Sequence, residues 1–251
     1  MTAVAVIEAL AIPAEARIDR RVAKKTLLEQ GAPTSADRRL VQDGIDQLLW
    51  VAALKPGNIG VPAYRDDGRE YLEVIVATVS VREGAKAPTL VELIHRAIPY
   101  PVVLVSTRAD ATELSVAHKR LSQAERGRVI VEGAVSAVTI GTRPAGAEAA
   151  FLESLAISAQ PGRDLCALYQ GWLDRVEALR AARLTGRYFL CASPERAAER
   201  RAALDEIARI QREIEALRAQ AGAESQISRR VEINLALKCR KTSLADQLAR
   251  L

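Results

Sequence analysis

The chain has 251 residues, 49% of them hydrophobic and 27% charged, with a formal net charge of +5; that is long enough to bury a core in one main domain plus an extension, and basic enough to accept an acidic partner without requiring one. Its longest apolar runs, such as Ile98 to Val105, fall far short of the roughly 20 residues that cross a bilayer, and the N-terminus lacks the basic-then-apolar order of a signal peptide, so a cytoplasmic protein with no membrane contact is expected. Cys166, Cys191 and Cys239, with no Cys-x-x-Cys, and only two histidines argue against a structural zinc site and fit reduced thiols.

Thr2 can cap a short first helix whose Val6, Ile7 and Leu10 form an apolar side and which Pro13 stops. The basic stretch Arg20 to Lys25 leads to Gly31, placed as a helix end or turn; its cations suit phosphate or an acidic surface, and equally an exposed loop entering the core. Thr34-Ser35-Ala36-Asp37 has capping-box form. Leu40, Val41, Ile45, Leu48, Leu49 and Ala52 then recur at helical spacing, which predicts one long helix ended by Lys55-Pro56-Gly57-Asn58. Trp50, partly off that stripe, either seals the core edge or faces a partner. Asp66-Asp67-Gly68 marks a turn.

Tyr71 to Val81 is rich in β-branched residues and too apolar on both faces for a strand with one wet side, so it belongs in the interior of a sheet. Pro88-Thr89 opens a helix with Leu90, Leu93, Ile94, Ala97 and Ile98 on its buried side, and His95 on that helix reads as solvent-facing or held at the helix terminus. Pro99 and Pro101 end the helix and force an extended lead into the next strand, which fixes Tyr100 at a corner where it either packs or meets a ligand. Hairpin-length links at 108–111 and 123–127 join Thr112 to Arg120 and Arg128 to Ile140. The order strand, helix, strand, strand, strand predicts an α+β fold with a mixed, mostly antiparallel sheet of about four strands and flanking helices. A helix over 164–180 places Leu165, Leu168, Tyr169, Trp172, Val176 and Leu179 on one stripe for packing against that sheet.

From Pro194 the composition turns charged and Ala-rich. Ile207, Ile210, Ile214, Leu217 and Ala221 follow the spacing of a coiled-coil seam. After Gly222 a second helix carries Ile227, Val231, Leu235, Leu237, Leu244, Leu248 and Leu251. The predicted organisation is therefore a globular domain over 1–190 and a C-terminal helical hairpin over 191–251, whose outer apolar residues invite a third helix. Ile207, Ile210, Ile214, Leu217, Ile227, Val231, Leu244 and Leu248 are the candidate partner-binding residues.

Motifs of chemistry are scarce. There is no Gly-x-Gly-x-x-Gly, no Gly-Lys-Ser/Thr phosphate loop and no Gly-x-Ser-x-Gly, and aromatics make up only 4% of the chain, too few for a base-stacking platform. Neither a cofactor nor a metal is expected. The best acidic cluster, Asp110 and Glu113 near His118-Lys119, loosely matches a magnesium-dependent nuclease, but such sites place an acid two residues before the lysine and Ala117 stands there. His118 reads as a strand-end surface histidine.

Several of these segments together resemble the bacterial domain-of-unknown-function family numbered 4391. They are Val22-Ala23-Lys24-Lys25, Lys55-Pro56-Gly57-Asn58-Ile59, Ala97-Ile98-Pro99-Tyr100-Pro101, Ala117-His118-Lys119, and the tail run from Glu224 through Ile227, Arg229, Arg230 and Val231 to Asn234. The chain departs from the family pattern at Ala23 and Thr26, where a proline and an aromatic or aliphatic residue are usual. The resemblance implies companionship with an SNF2-type helicase or a DNA methyltransferase in phage-defence or restriction-modification neighbourhoods, and it carries no catalytic residues. Three roles follow as expectations. One is a non-enzymatic accessory subunit docking such a partner, or a second copy of itself, through the hairpin. Another is a DNA-binding subunit using Arg20, Arg21, Lys24, Lys25, Arg229 and Arg230. The last is a divergent nuclease using Asp110, Glu113 and Lys119.

Overall fold

The computed structural model describes residues 3–31, 33–109, 111–125 and 127–251, and it separates into two compact units, Met1–Val176 and Glu177–Leu251. In chain order the first unit carries α1 (Ala3–Ala9), β1 (Arg17–Arg21), α2 (Lys24–Gln30), α3 (Ser35–Gly44), β2 (Ile45–Leu54), a single turn α4 (Pro56–Ile59), β3 (Tyr64–Arg65), β4 (Glu70–Tyr71), β5 (Val74–Val81), α5 (Ala87–Ala97), β6 (Val102–Arg108), β7 (Ala111–Leu121), β8 (Val129–Ile140) and α6 (Ala147–Glu153). There α7 (Leu165–Thr185) begins, and the second unit holds α8 (Pro194–Ala223) and α9 (Ile227–Leu248). The expected cap at Thr2 and the acid Asp110 lie outside the described residues. Among the described residues no helix is long and apolar enough to cross a membrane.

The fold is α+β with a mostly antiparallel sheet, but the main sheet has six strands in the order β1-β2-β5-β6-β7-β8 rather than about four. The two additional strands come from segments with other readings. Ile45 to Leu54 satisfies helical spacing as well as strand composition, and the choice is made by its neighbours: β1 pairs along one side and β5 along the other. The helix stops at Gly44, where a Cβ would meet Leu90 Cδ1 at 2.8 Å, so α3 contributes only its Thr34–Asp37 capping box and just under three turns. Trp50 is thus a strand residue, half-buried against the core.

As the sequence implies, β5 lies inside the sheet, and α5 carries the chain across to its parallel neighbour β6. Alternation then divides the burial. Ile75, Ala77, Val79, Val102 and Leu104 pack with α5, α2 and α3, whereas Val74, Val76, Val103 and Val105 are buried on the opposite face, where α1 meets β6 and α7 brings Tyr169 and Trp172. The sheet rims differ. At one rim β1 is short, fully exposed, charged at Arg17, Asp19, Arg20 and Arg21, and irregular between Arg17 and Arg20. At the other, β8 runs for 12 residues with Glu132 as its sole charge and a break in register opposite Val116–His118, near Gly133 at φ +73°.

Gly31 closes α2 onto the last turn of α5. A Cβ there would sit 2.4 Å from Ala97 Cβ and 2.9 Å from Leu93 O, contacts that no flexible side chain can relieve. Gly31→Ala is expected to destabilise the protein by about 1–3 kcal/mol in urea unfolding. Ala97→Gly, which empties the colliding position, should recover part of that loss in the double variant.

Candidate functional site

The polar groups of the first unit converge where β7 runs on past the beginning of β6. The β6–β7 ladder is regular from Leu104–Ser115 upward, and beyond it two tyrosine hydroxyls stand in for missing strand partners. The Tyr169 hydroxyl accepts the Ala117 N–H at 2.8 Å and lies 2.8 Å from Val102 O and 3.0 Å from Ala117 O, the two carbonyls its proton can reach. The Tyr71 hydroxyl accepts the Lys119 N–H at 3.2 Å and sits 2.5 Å from His118 Nδ1. His118 Nε2 lies 2.7 Å from Gln170 Oε1, and Gln170 Nε2 donates to Asp174 at 2.7 Å. An amide oxygen only accepts, so Nε2 donates a proton to Gln170. His118 is accordingly a buried connector, not a surface residue. Burial pushes both phenols above their ordinary value, so neither is a ready base.

On the other face of β7, Lys119 is 2% exposed and donates from Nζ to His95 O and, at 2.9 Å, to Ile98 O. In a continuing helix His95 O would be met by the N–H of residue 99, and Pro99 has none. The Lys119 ammonium fills that position at the negative end of α5. Burial pulls its affinity for the proton down to about 7. His95, read from sequence as solvent-facing or terminus-held, is fully buried instead: its Nε2 lies 3.0 Å from Ser115 Oγ, which points on to Leu104 O at 3.4 Å. Burial first, and the Lys119 charge second, push His95 down to about 3. Ser115 and His95 are not a nucleophile and its base, because the serine proton is directed at a backbone carbonyl and no carboxylate orients Nδ1.

Of the nuclease-like set, the two members among the described residues, Glu113 and Lys119, are not brought together. Glu113 is six positions from Lys119 along β7, about 20 Å at strand rise, and among the described residues no group of three His, Cys, Asp or Glu side chains converges. An open cleft of about 530 Å³ between the β3–β4 turn and the end of β7 is lined by Asp66, Asp67, Arg69, Arg120 and Glu132, but Arg69 and Glu132 neutralise each other at 2.7 Å. Nearby, burial raises the Cys166 thiol, the opposite of what a nucleophile needs.

The second unit places the hairpin residues unequally. Ile210, Ile214 and Leu237 form its seam, with Leu217 and Leu244 packed alongside and Glu213 bridging to Arg240 of α9 at 2.9 Å. Ile207 is buried and Leu248 is half-buried. Of the candidate partner-binding residues, Ile227 and Val231 alone stand in the open, at 71% and 53% exposure, and Leu235 joins them at 60%. These three recur every four residues, so they form one stripe of α9, about 160° around the helix from Leu237 when Leu235 is compared with it. The six candidate DNA-binding cations are divided between the units. Arg20 and Arg21 are exposed on β1, Lys24 donates to Gln42 O at 2.8 Å and Lys25 pairs with Glu29 at 3.7 Å; Arg229 and Arg230 are on α9, the former 3.8 Å from Glu224.

A family model described as Domain of unknown function (DUF4391) matches residues 10–244. No curated protein and no solved structure matches the chain.

Two measurements check the buried network. Removing the Tyr169 hydroxyl by Tyr169→Phe leaves buried backbone at Val102 and Ala117 unpartnered, so it should cost about 1–3 kcal/mol and raise the hydrogen-exchange rate of the Ala117 amide. The second is pH dependence. Between about 3 and 6.5 unfolded His95 binds a proton that the folded residue refuses, and between about 7 and 10.5 unfolded Lys119 does the same, so in both windows stability rises with pH. Denaturation across pH should show slopes of up to about 1.4 kcal/mol per unit from each group. His95→Gln should flatten the acid limb, and Lys119→Met the alkaline limb at the cost of lower overall stability.

Proposed function

We propose that this chain, which belongs to the family described as Domain of unknown function (DUF4391), works as a non-enzymatic accessory subunit that docks a partner protein through the outer stripe of α9. One observation carries the reading: Ile227, Val231 and Leu235 lie in a row at 71%, 53% and 60% exposure, although the same hairpin buries Ile210, Ile214 and Leu237 in its seam. Single exposed apolar residues are ordinary on protein surfaces. A row of three on one helix costs solvation that a bound partner returns, at roughly 1.5–3 kcal/mol per fully buried side chain. The residue types that suggest chemistry in the first unit are absorbed by its backbone: Lys119 caps α5, His118 links Tyr71 to Gln170, and His95 holds Ser115.

The family resemblance names the partners to try, an SNF2-type helicase and a DNA methyltransferase of a defence or restriction-modification neighbourhood. The stripe is more than half exposed at each position, so substitutions there should leave stability within about 0.5 kcal/mol. Val231→Asp combined with Leu235→Asp is therefore expected to abolish co-purification with the products of adjacent genes while the melting curve stays put. Capture undiminished in that variant would place docking elsewhere and end this reading.

A further inference from the structure

Resting on that docking reading, the charges around the stripe narrow the kind of partner. At 100° per residue, Arg230 and Lys241 fall about 80–100° to one side of the middle of the Ile227–Val231–Leu235 row, Lys238 continues the line of the row one turn beyond Leu235, and all three are exposed. The ion pairs of the hairpin go to other cations: Arg209 is taken by Glu206 and Glu213, Arg240 by Glu213 and Arg229 by Glu224. Among the described residues Arg230, Lys238 and Lys241 have no carboxylate within 4.0 Å, and on the opposite flank the stripe has Ser228, Glu232 and Cys239. An apolar row with cations along one side and at its end is complementary to an apolar row accompanied by acids.

We propose that the occupant of this surface is an amphipathic helix of another protein, with apolar residues at i, i+4 and i+8 and aspartates or glutamates beside them that meet Arg230, Lys238 and Lys241. A second copy of this chain fits less well. An antiparallel copy sets the three cations against their own counterparts, and a parallel copy offers them Glu232 as the one acid beside the Val231–Leu235 part of the row. Nucleic acid has no use for the apolar row, because phosphate contacts leave Ile227, Val231 and Leu235 as exposed as before.

The probe is a synthetic helical peptide with one row of leucines at i, i+4 and i+8 and glutamates on both flanks, compared with a twin carrying lysines in place of the glutamates. With full-length protein in a fluorescence-anisotropy titration, the glutamate peptide should bind about tenfold more tightly than its twin at low salt, an advantage that shrinks as salt rises. Arg230→Glu, Lys238→Glu and Lys241→Glu together should invert the preference, and Val231→Asp with Leu235→Asp should remove binding of both peptides. Equal binding of the two peptides, or a preference that survives the triple reversal, overturns the acidic-partner assignment while leaving apolar docking intact. Loss of neither peptide in the aspartate variant overturns the docking reading beneath it. Sedimentation as a dimer that Val231→Asp disperses, or displacement of the peptide by duplex DNA that binds the aspartate variant undiminished, overturns the assignment in favour of a second copy or of nucleic acid.

Discussion

Backbone that is buried where no strand runs beside it still needs hydrogen bonds, and the first unit is arranged around meeting that need at β7. The strand outlasts its neighbour β6, so the amides and carbonyls near Ala117 and Lys119 and the carbonyl of Val102 face no ladder. Two phenols from distant parts of the chain, Tyr71 and Tyr169, bond these groups, and both are completely buried. A buried polar group left unbonded costs on the order of 1–3 kcal/mol, comparable to the contribution of a good core side chain. The same strand also answers the deficit created by Pro99, because Lys119 delivers an ammonium to the carbonyl that the proline cannot serve.

Seen this way, the residues most suggestive of catalysis are structural through their own geometry. Lysine with lowered proton affinity, histidine beside serine, and a tyrosine–histidine–glutamine relay are each found in active sites. Here Lys119 is bonded to backbone carbonyls, His118 links Tyr71 to Gln170, and His95 reaches Ser115 through Nε2 while its Nδ1 meets no partner among the described residues. The open surface of the second unit has the reverse character: the row of Ile227, Val231 and Leu235 is exposed, and Arg230, Lys238 and Lys241 meet no carboxylate among the described residues.

The sequence was legible where local signals agree with the tertiary arrangement. The interior strand β5, the α5 crossover ended by Pro99 and Pro101, the two hairpins after it, the Leu165–Leu179 stripe of α7 and the pair of C-terminal helices all follow from periodicity and turn residues. Reading failed at Ile45–Leu54, whose apolar positions fit two periods and whose state is decided by β1 and β5 on either side. It failed again at His95, His118 and Lys119. Their partners lie between 20 and 52 residues away in sequence, and nothing local marks which faces of β7 are dry. Tyr169 could be placed on the buried stripe of its helix but not assigned its hydroxyl's task, which requires knowing that β6 and β7 part beside it. For the hairpin, heptad spacing identified a seam without separating residues that meet α8 from Ile227 and Val231, which turn outward.

The unequal rims of the sheet bear on how the chain behaves before it is fully folded. At β1, charge and an irregular backbone make strand addition unfavourable. The rim at β8 is long and nearly uncharged, with Glu132 its one charge and a break near Gly133. Crowded, half-folded copies would therefore adhere through the Val135–Ile140 half first. Nascent chains emerging from a ribosome complete that half well before the hairpin, so the interval between the two is when chaperones would matter most to this protein.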